Sequence, residues 1–361
     1  MANIISIATA VPRFCHRQEN ILQFMSSVYG LDEVEKRKLS FLYRHSDIEK
    51  RYSVIDDFSQ PMSEWDFIPT DWAEEFPSLE ERLKIFRDEA PSLSIQAIND
   101  CIEGFIAPKD ITHLITVSCT GMSAPGLDLQ VAEAMQLPDD IFRTSVNFMG
   151  CYAAVHALKL AKLICDSAPN ANVVIVATEL CTIHFQKEYT LDNASSSLLF
   201  SDGSAAVLVS NNIKSKNALS LKGFYSKVAY KGKKDMAWEL NSKGFLMTLS
   251  GYIPQLIEED ITTLVTDALK HYQLKKEDIS HWCMHPGGKK ILEVIEKQLS
   301  LEKEDLCRSR KVLSEYGNMS SPTILFVLKE MMQRLPDKPV NIFGVAFGPG
   351  LTMETFIAGN T

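Results

Sequence analysis

The chain is poor in cysteine: eight in 361 residues, at positions 15, 101, 119, 151, 165, 181, 283 and 307, with no C-x-x-C pair. That spacing excludes a zinc ribbon and a dense disulfide framework. Free thiols in a reducing compartment are the simplest reading. Long apolar runs are missing too, and none reaches the roughly 18 residues of a membrane span. The apolar start, Met1 to Pro12, lacks the basic lead and long hydrophobic stretch of a secretory signal, so a cytoplasmic protein without membrane insertion is expected. Positive charge is in deficit, 37 Lys and Arg against 46 Asp and Glu, a net charge of −9. A nucleic-acid partner is not expected from that balance, although a local basic patch can still meet an anionic ligand. No internal repeat is visible, which sets aside solenoids and propellers. The two Gly loops, 201–207 and 344–352, do not form a dinucleotide fingerprint or a P-loop, and read as tight turns that shape a cavity.

What is present is an ordinary globular composition, 45% hydrophobic and 23% charged. The length suits about two domains. Two β-branched runs, His113–Ser118 and Asn172–Thr178, have the pattern of strands buried on both faces. Further strands are expected over 3–10, 144–148, 205–210, 219–231, 281–284, 340–347 and 352–358. Helices are expected over 17–29, 31–45, 80–106, 127–136, 150–168, 253–272, 288–299 and 321–334. Residues 56–78, rich in Pro, Asp and Trp, read as a long irregular cover. The alternation predicts α/β layers around mostly parallel sheets. Two similar halves, 1–211 and 212–361, divide at the polar stretch that follows Ser210.

Three turns carry chemistry. In M-G-C-Y-A-A, Cys151 follows a short strand and a permissive Gly150, and an Ala-rich helix begins after it. A thiol there sits at the positive end of the helix dipole, which favours thiolate. The plainer reading of a lone cysteine is a small core residue. In H-P-G-G, His285 ends an apolar strand and faces the crevice where α/β sheets bind ligands. It can hold a thiolate as an ion pair or shuttle a proton, or be a hydrogen-bonded structural histidine. In S-E-Y-G-N-M-S-S, the Asn318 amide can donate to a developing oxyanion, or simply cap the helix that follows.

Taken together, M-G-C-Y-A-A, H-P-G-G, S-E-Y-G-N-M-S-S and F-G-P-G-L-T-M-E-T resemble the type III polyketide synthases, the chalcone and stilbene synthase family, over nearly the whole chain. The resemblance implies a thiolase-like five-layer αβαβα fold, a homodimer, and a CoA tunnel leading to a buried cavity. It implies that Cys151 takes an acyl group from a CoA thioester and that His285 pairs with its thiolate. His285 and Asn318 then hold the thioester carbonyl of malonyl-CoA as CO₂ leaves. No metal or redox cofactor is implied. Phe200 matches a gatekeeper phenylalanine, and Met247 replaces a second one. Cys119 and Thr120 stand for a Thr-Ser pair, and Cys181 and His184 for smaller or hydroxylated residues. Trp238 falls near a position that is small in chalcone synthases, Ala124 replaces a bulkier residue that crosses the dimer interface, and Ser320 is retained. His184 and Trp238 are expected to shrink the pocket, and Ala124 to open it.

For CoA phosphates the family uses Lys and Arg in the region of K-R-K-L-S-F-L-Y-R-H-S-D-I-E-K-R. Here Lys38 fits, Phe41 replaces an arginine, His45 replaces a lysine, and Arg44, Lys50 and Arg51 add charge. A solvated helix face is the plainer reading of each alone. The leading expectation is iterative condensation of malonyl-CoA onto an acyl-CoA or malonyl-CoA starter, closing to a pyrone or a phenolic, resorcinol-type product. The alternatives are a 3-oxoacyl synthase of the initiating type, acting once on a carrier protein, and a non-catalytic acyl-CoA-binding protein that has kept the fold.

Overall fold

The computed structural model describes residues 1–71 and 74–360; positions 72 and 73, inside the expected irregular cover, lie outside the described residues. In chain order the strands are β1 (Asn3–Ala10), β2 (Phe14–Arg17), β3 (Lys50–Ser53), β4 (His113–Ser118), β5 (Phe142–Asn147), β6 (Asn172–Leu180), β7 (Asp202–Ser210), β8 (Leu219–Val228), β9 (Met236–Asn241), β10 (Gly244–Leu249), β11 (His281–Met284), β12 (Asn341–Gly348) and β13 (Thr352–Gly359). The helices are α1 (Gln18–Val28), α2 (Glu33–Arg44), α3 (Leu79–Ile102), α4 (Leu127–Ala134), α5 (Ala153–Ser167), α6 (Leu191–Leu199), α7 (Ile253–His271), α8 (Lys289–Gln298), α9 (Cys307–Tyr316) and α10 (Thr323–Met332).

Hydrogen bonding runs in the order β11-β12-β13-β8-β1-β7-β6-β4-β5. The join between β1 and β8 is only Asn3↔Ser220 and Ile4↔Leu219, so the run reads as two sheets meeting at an edge. Pairing is mixed: β4 is parallel to β5 and β6, β11 to β12, and the others are antiparallel. Successive residues of β6 point to opposite faces, as strand geometry requires. Val173 and Ile175 pack in a core shared with α5, α10 and the second sheet's Ile342 and Phe356. Val174 and Val176 pack outward against α1, α3 and α4. The second sheet buries Phe343, Val345 and Ile357 against α7 and α8. The result is the thiolase-like α/β stack of five layers, with α5 and α10 in the middle. Ala153, Ala154, Ala157 and Ala161 are fully buried on α5. Their small side chains let the helix approach both sheets closely. α10 is buried on all sides from Thr323 to Leu328, as a central helix must be. Among the described residues no helix is long and apolar enough to cross a membrane.

Two antiparallel strand pairs and two helices were not expected from the pattern: β2 with β3, the hairpin β9–β10, and the helices α6 and α9. Two of these matter for function. In β9–β10, Trp238 pairs directly with Met247, and both side chains face a buried cavity. α6 ends at Leu199, and its last turn delivers Phe200 to the same place.

Candidate active site

The N-termini of the two central helices open on one cavity. Its walls include Cys151 just before α5, His285 just after β11, and Asn318 and Ser320 just before α10. Cys119, Thr120, Cys181, Phe200, Trp238 and Met247 line it too. Segments more than a hundred residues apart in the chain therefore converge here, as the resemblance implied.

The turn that carries Cys151 depends on glycine. Gly150 has φ 78°, and a Cβ there would sit 2.2 Å from Pro349 Cδ. Gly150→Ala should destabilise the protein by about 2–5 kcal/mol, the left-handed backbone and the overpacking adding together. Urea unfolding reads this, and an unchanged midpoint contradicts it. The same turn is tied down by Cys119, whose sulfur accepts the Gly150 N–H at 3.0 Å.

Asn318 is oriented by its own helix. Its backbone N–H donates to Leu199 O at 2.9 Å, and its C=O accepts from Ser201 N at 3.0 Å. Its side-chain Oδ1 accepts from Ser320 N at 2.8 Å. That commitment fixes the flip of the amide and leaves the NH₂ for the cavity. His285 is 1% exposed, and neither ring nitrogen meets a partner among the described residues. Buried polar atoms are normally paired, so an uncommitted imidazole in the same cavity as the Asn318 NH₂ marks a place for a ligand oxygen.

Burial pushes the Cys151 thiol up to about 11, and Glu179 acts in the same direction; the Ser320 hydroxyl, the Asn318 side chain and the cysteine's own N–H pull it back. Burial also lowers His285 to about 3. Burial thus works against the resting thiolate expected from the helix position, and the anion depends on the donors around the sulfur. Ser320→Ala should therefore raise the pH midpoint of Cys151 alkylation by iodoacetamide by roughly one unit, the worth of one charge-assisted hydrogen bond. Peptide mass spectrometry across a pH series measures it, and an unmoved midpoint contradicts the assignment of Ser320 as a donor.

One expected pocket position moves. His184 does not line the cavity that holds Cys151 but an adjoining chamber, which shares Cys181, Phe200, Trp238 and Met247 with it. Its Nε2 bonds Thr120 O at 2.7 Å, its Nδ1 accepts from Phe245 N at 3.2 Å, and its ring stacks on Phe245 at 4.2 Å. With both nitrogens used it braces the wall, and burial lowers it to about 3. Trp238 is part of the cavity wall, its Nε1 donating to Cys119 O at 2.8 Å. Ala124 is exposed and lies outside the cavity lining. Lys38, Arg44 and His45 are exposed on and just after α2.

Arg51 is not a surface cation: it is 4% exposed. Its Nε donates to Gln18 Oε1 at 3.0 Å and its Nη1 to Phe200 O. Gln18 in turn holds Leu198 O at 3.0 Å. Three successive carbonyls, Leu198, Leu199 and Phe200, are thus taken by Gln18, the Asn318 backbone and Arg51. Gly317, with φ 69°, makes room for the Arg51 stem; a Cβ there would lie 2.8 Å from Arg51 Cδ.

Glu179, a residue the sequence did not single out, is fully buried at the end of β6. Its carboxylate accepts from Cys119 N at 2.8 Å, Thr120 Oγ1 at 2.8 Å and Ser321 Oγ at 2.6 Å. It ties the loop after β4 to the turn that carries Asn318. Burial raises its pKa, which those donors oppose.

A thiolase-like fold with a thiol, an imidazole and an amide turned into one cavity defines a condensing enzyme. The comparisons with known proteins narrow the class. Residues 1–212 match the family model for the N-terminal domain of chalcone and stilbene synthases, and residues 225–360 match the model for the C-terminal domain. A curated relative, Type III polyketide synthase A of Arabidopsis thaliana, is 30% identical over 98% of this chain and 91% of its own. Among solved structures, PKS-I from the brown alga Ectocarpus siliculosus superposes with a TM-score of 0.92 at 28% identity, covering 99% of this chain and 98% of that one. The C-terminal type III domain of Steely1, a type I/III hybrid from Dictyostelium, gives 0.91 at 26% identity, covering 99% of each chain. The chain belongs to the chalcone and stilbene synthase family: it is a type III polyketide synthase, a carbon–carbon bond-forming acyltransferase.

Proposed function

We propose that this synthase condenses malonyl-CoA repeatedly onto an acyl-CoA or malonyl-CoA starter held on Cys151, and closes the chain to a pyrone or a phenolic, resorcinol-type product. The observation that carries the reading is the meeting of Cys151 with the uncommitted His285 ring and the Asn318 NH₂ in one cavity. Cys151 gives its proton to His285 and attacks the starter thioester. CoA thiolate leaves, and His285 returns the proton to it. Malonyl-CoA then places its thioester oxygen between the His285 ring and the Asn318 NH₂. CO₂ departs, and the negative charge collects on that oxygen, where the donors stabilise it. The enolate carbon attacks the Cys151 thioester, expelling the sulfur and forming the new carbon–carbon bond. Transfer of the extended chain back to Cys151 releases CoA and begins the next round.

Loss of CO₂ drives this sequence, so it calls for no metal or redox cofactor. Cys119, Thr120, Cys181, Phe200, Met247 and Ser320 shape the space in which the chain folds. Residues 1–211 bring Cys151 and residues 212–361 bring His285 and Asn318, as two halves of one site. Lys38, Arg44 and His45 on and after α2 are offered to the CoA end of the substrate. A homodimer is supported by β5: it is an edge strand, mostly exposed, with Phe142 71% in solvent, and an open edge of that kind invites pairing. The cytoplasm, where CoA thioesters and free thiols coexist, is the proposed site of action. Incubation of radiolabelled malonyl-CoA with a panel of acyl-CoA starters, followed by mass spectrometry of products, tests the reading. Labelled cyclic products support it, and absence of both product and CO₂ with every starter refutes it.

A further inference from the structure

The face of α2 that looks outward carries an unusual pair. Phe41 is 61% exposed, and its ring stacks on His45 with centroids 4.1 Å apart and planes 28° from parallel. The imidazole is not free to swing, because its Nδ1 bonds Phe41 O at 2.8 Å. The opposite face of the helix is core: Leu39 and Tyr43 are 0% and 3% exposed. Lys38, three residues before Phe41, and Arg44, three residues after, share the outward face by helical spacing. Both are exposed, and neither has an ion pair or hydrogen bond among the described residues. The surface is therefore two fixed, stacked rings between two uncommitted cations. Packing inside the protein gives no reason for it.

Contacts of Tyr43 and Asp47 tie this surface to the elements that wall the two cavities. Tyr43, on the inner face of α2, reaches Ser197 Oγ at 3.4 Å on α6, and Ser197 and Phe200 line the adjoining chamber. Asp47, two residues past His45, pairs with Lys289 at 2.7 Å. Lys289 opens α8, two residues beyond Gly287, which lines the catalytic cavity. The next residue, Lys290, is exposed and unpaired among the described residues. The Phe41–His45 stack thus lies where the α2 end and the α8 start approach each other, with cations on both sides.

A planar, anionic ligand matches that surface. Bare cations bind phosphate without telling one nucleotide from another, whereas stacked rings bind the face of a base. A base on an aromatic side chain is worth about 1–3 kcal/mol. We propose that Phe41 and His45 form a stacking platform for the adenine of the substrate's CoA, with Lys38, Arg44 and Lys290 around its phosphates. The chain thereby binds the nucleotide through its base, at a place where the resemblance implies arginine and lysine. The inference rests on the reading of CoA thioesters as substrates.

The test compares malonyl-CoA with malonyl-N-acetylcysteamine, which has the same acyl group and no nucleotide. In Phe41→Ala the ratio of kcat/KM for the CoA ester to that for the truncated ester should fall roughly 5- to 150-fold, the equivalent of that stacking energy. The loss should appear in KM for the CoA ester. Phe41→Trp should restore the ratio. Calorimetry with adenosine 3′,5′-bisphosphate on the full chain gives a second measure that needs no turnover, and Phe41→Ala should weaken that binding by the same factor. An unchanged ratio, or equal losses on both esters, overturns the platform. If the wild-type chain turns over neither ester, the proposed function fails, and the calorimetry still decides the platform. Phe41 is mostly in solvent, so its replacement does not put folding at stake.

Discussion

Replacing Cys151 with alanine is expected to abolish chain extension, by at least about 10³-fold in product formation, while malonyl-CoA decarboxylation continues. The two activities separate because different groups carry them. In the proposed mechanism the acyl chain needs a sulfur, and enolate formation needs the His285 ring and the Asn318 amide. The other thiols of the cavity do not substitute. Burial pushes both Cys119 and Cys181 well above the ordinary thiol range, and Glu179 adds to the effect. Cys119 is also engaged by the Gly150 N–H. Liquid chromatography of products and release of labelled CO₂, measured on one preparation, check the prediction. Joint loss of both activities would show that the sulfur takes part in decarboxylation.

The second large effect is the mirror of the first. Asn318→Ala should lower decarboxylation by about 10²–10³-fold, the usual loss when one oxyanion donor is removed. Loading of a starter onto Cys151 should fall far less. Asn318→Asp should do no better than alanine. It keeps the shape and can still accept from Ser320 N, but it presents an acceptor where the enolate oxygen needs a donor. Rapid-quench measurement of acyl-enzyme alongside CO₂ release distinguishes the steps. If Asn318→Asp retained decarboxylation, the amide NH₂ would not be the group that matters.

The three chemical residues were legible because their signals are local. Each sits within a few residues of a glycine at a turn next to a strand or helix, and the strands beside them are unbroken apolar runs. The parts that hold them were hidden by distance. Arg51 reads as one more charge in a basic stretch, yet its guanidinium is spent on Phe200 O, 149 residues away. Glu179 ends a strand with nothing nearby to announce it, and its partner Ser321 is 142 residues on. The β9–β10 hairpin lacks an Asn-Gly or Asp-Gly turn, the strongest short-range sign of such a hairpin. α6 contains three serines in nine residues, poor helix material, and starts because Thr190 caps it by accepting from Asn193 N at 3.1 Å. The resemblance assigns His184 to the substrate pocket; its two hydrogen bonds, to Thr120 and Phe245, hold it in the wall of the adjoining chamber instead.

Intact-protein mass spectrometry after incubation with a single acyl-CoA, in the absence of malonyl-CoA, decides whether Cys151 carries the growing chain. One added acyl group per chain is expected, mapped by proteolysis to Cys151, lost on treatment with hydroxylamine and absent from Cys151→Ala. An unmodified chain, or an acyl group on any of the seven other cysteines, would contradict it.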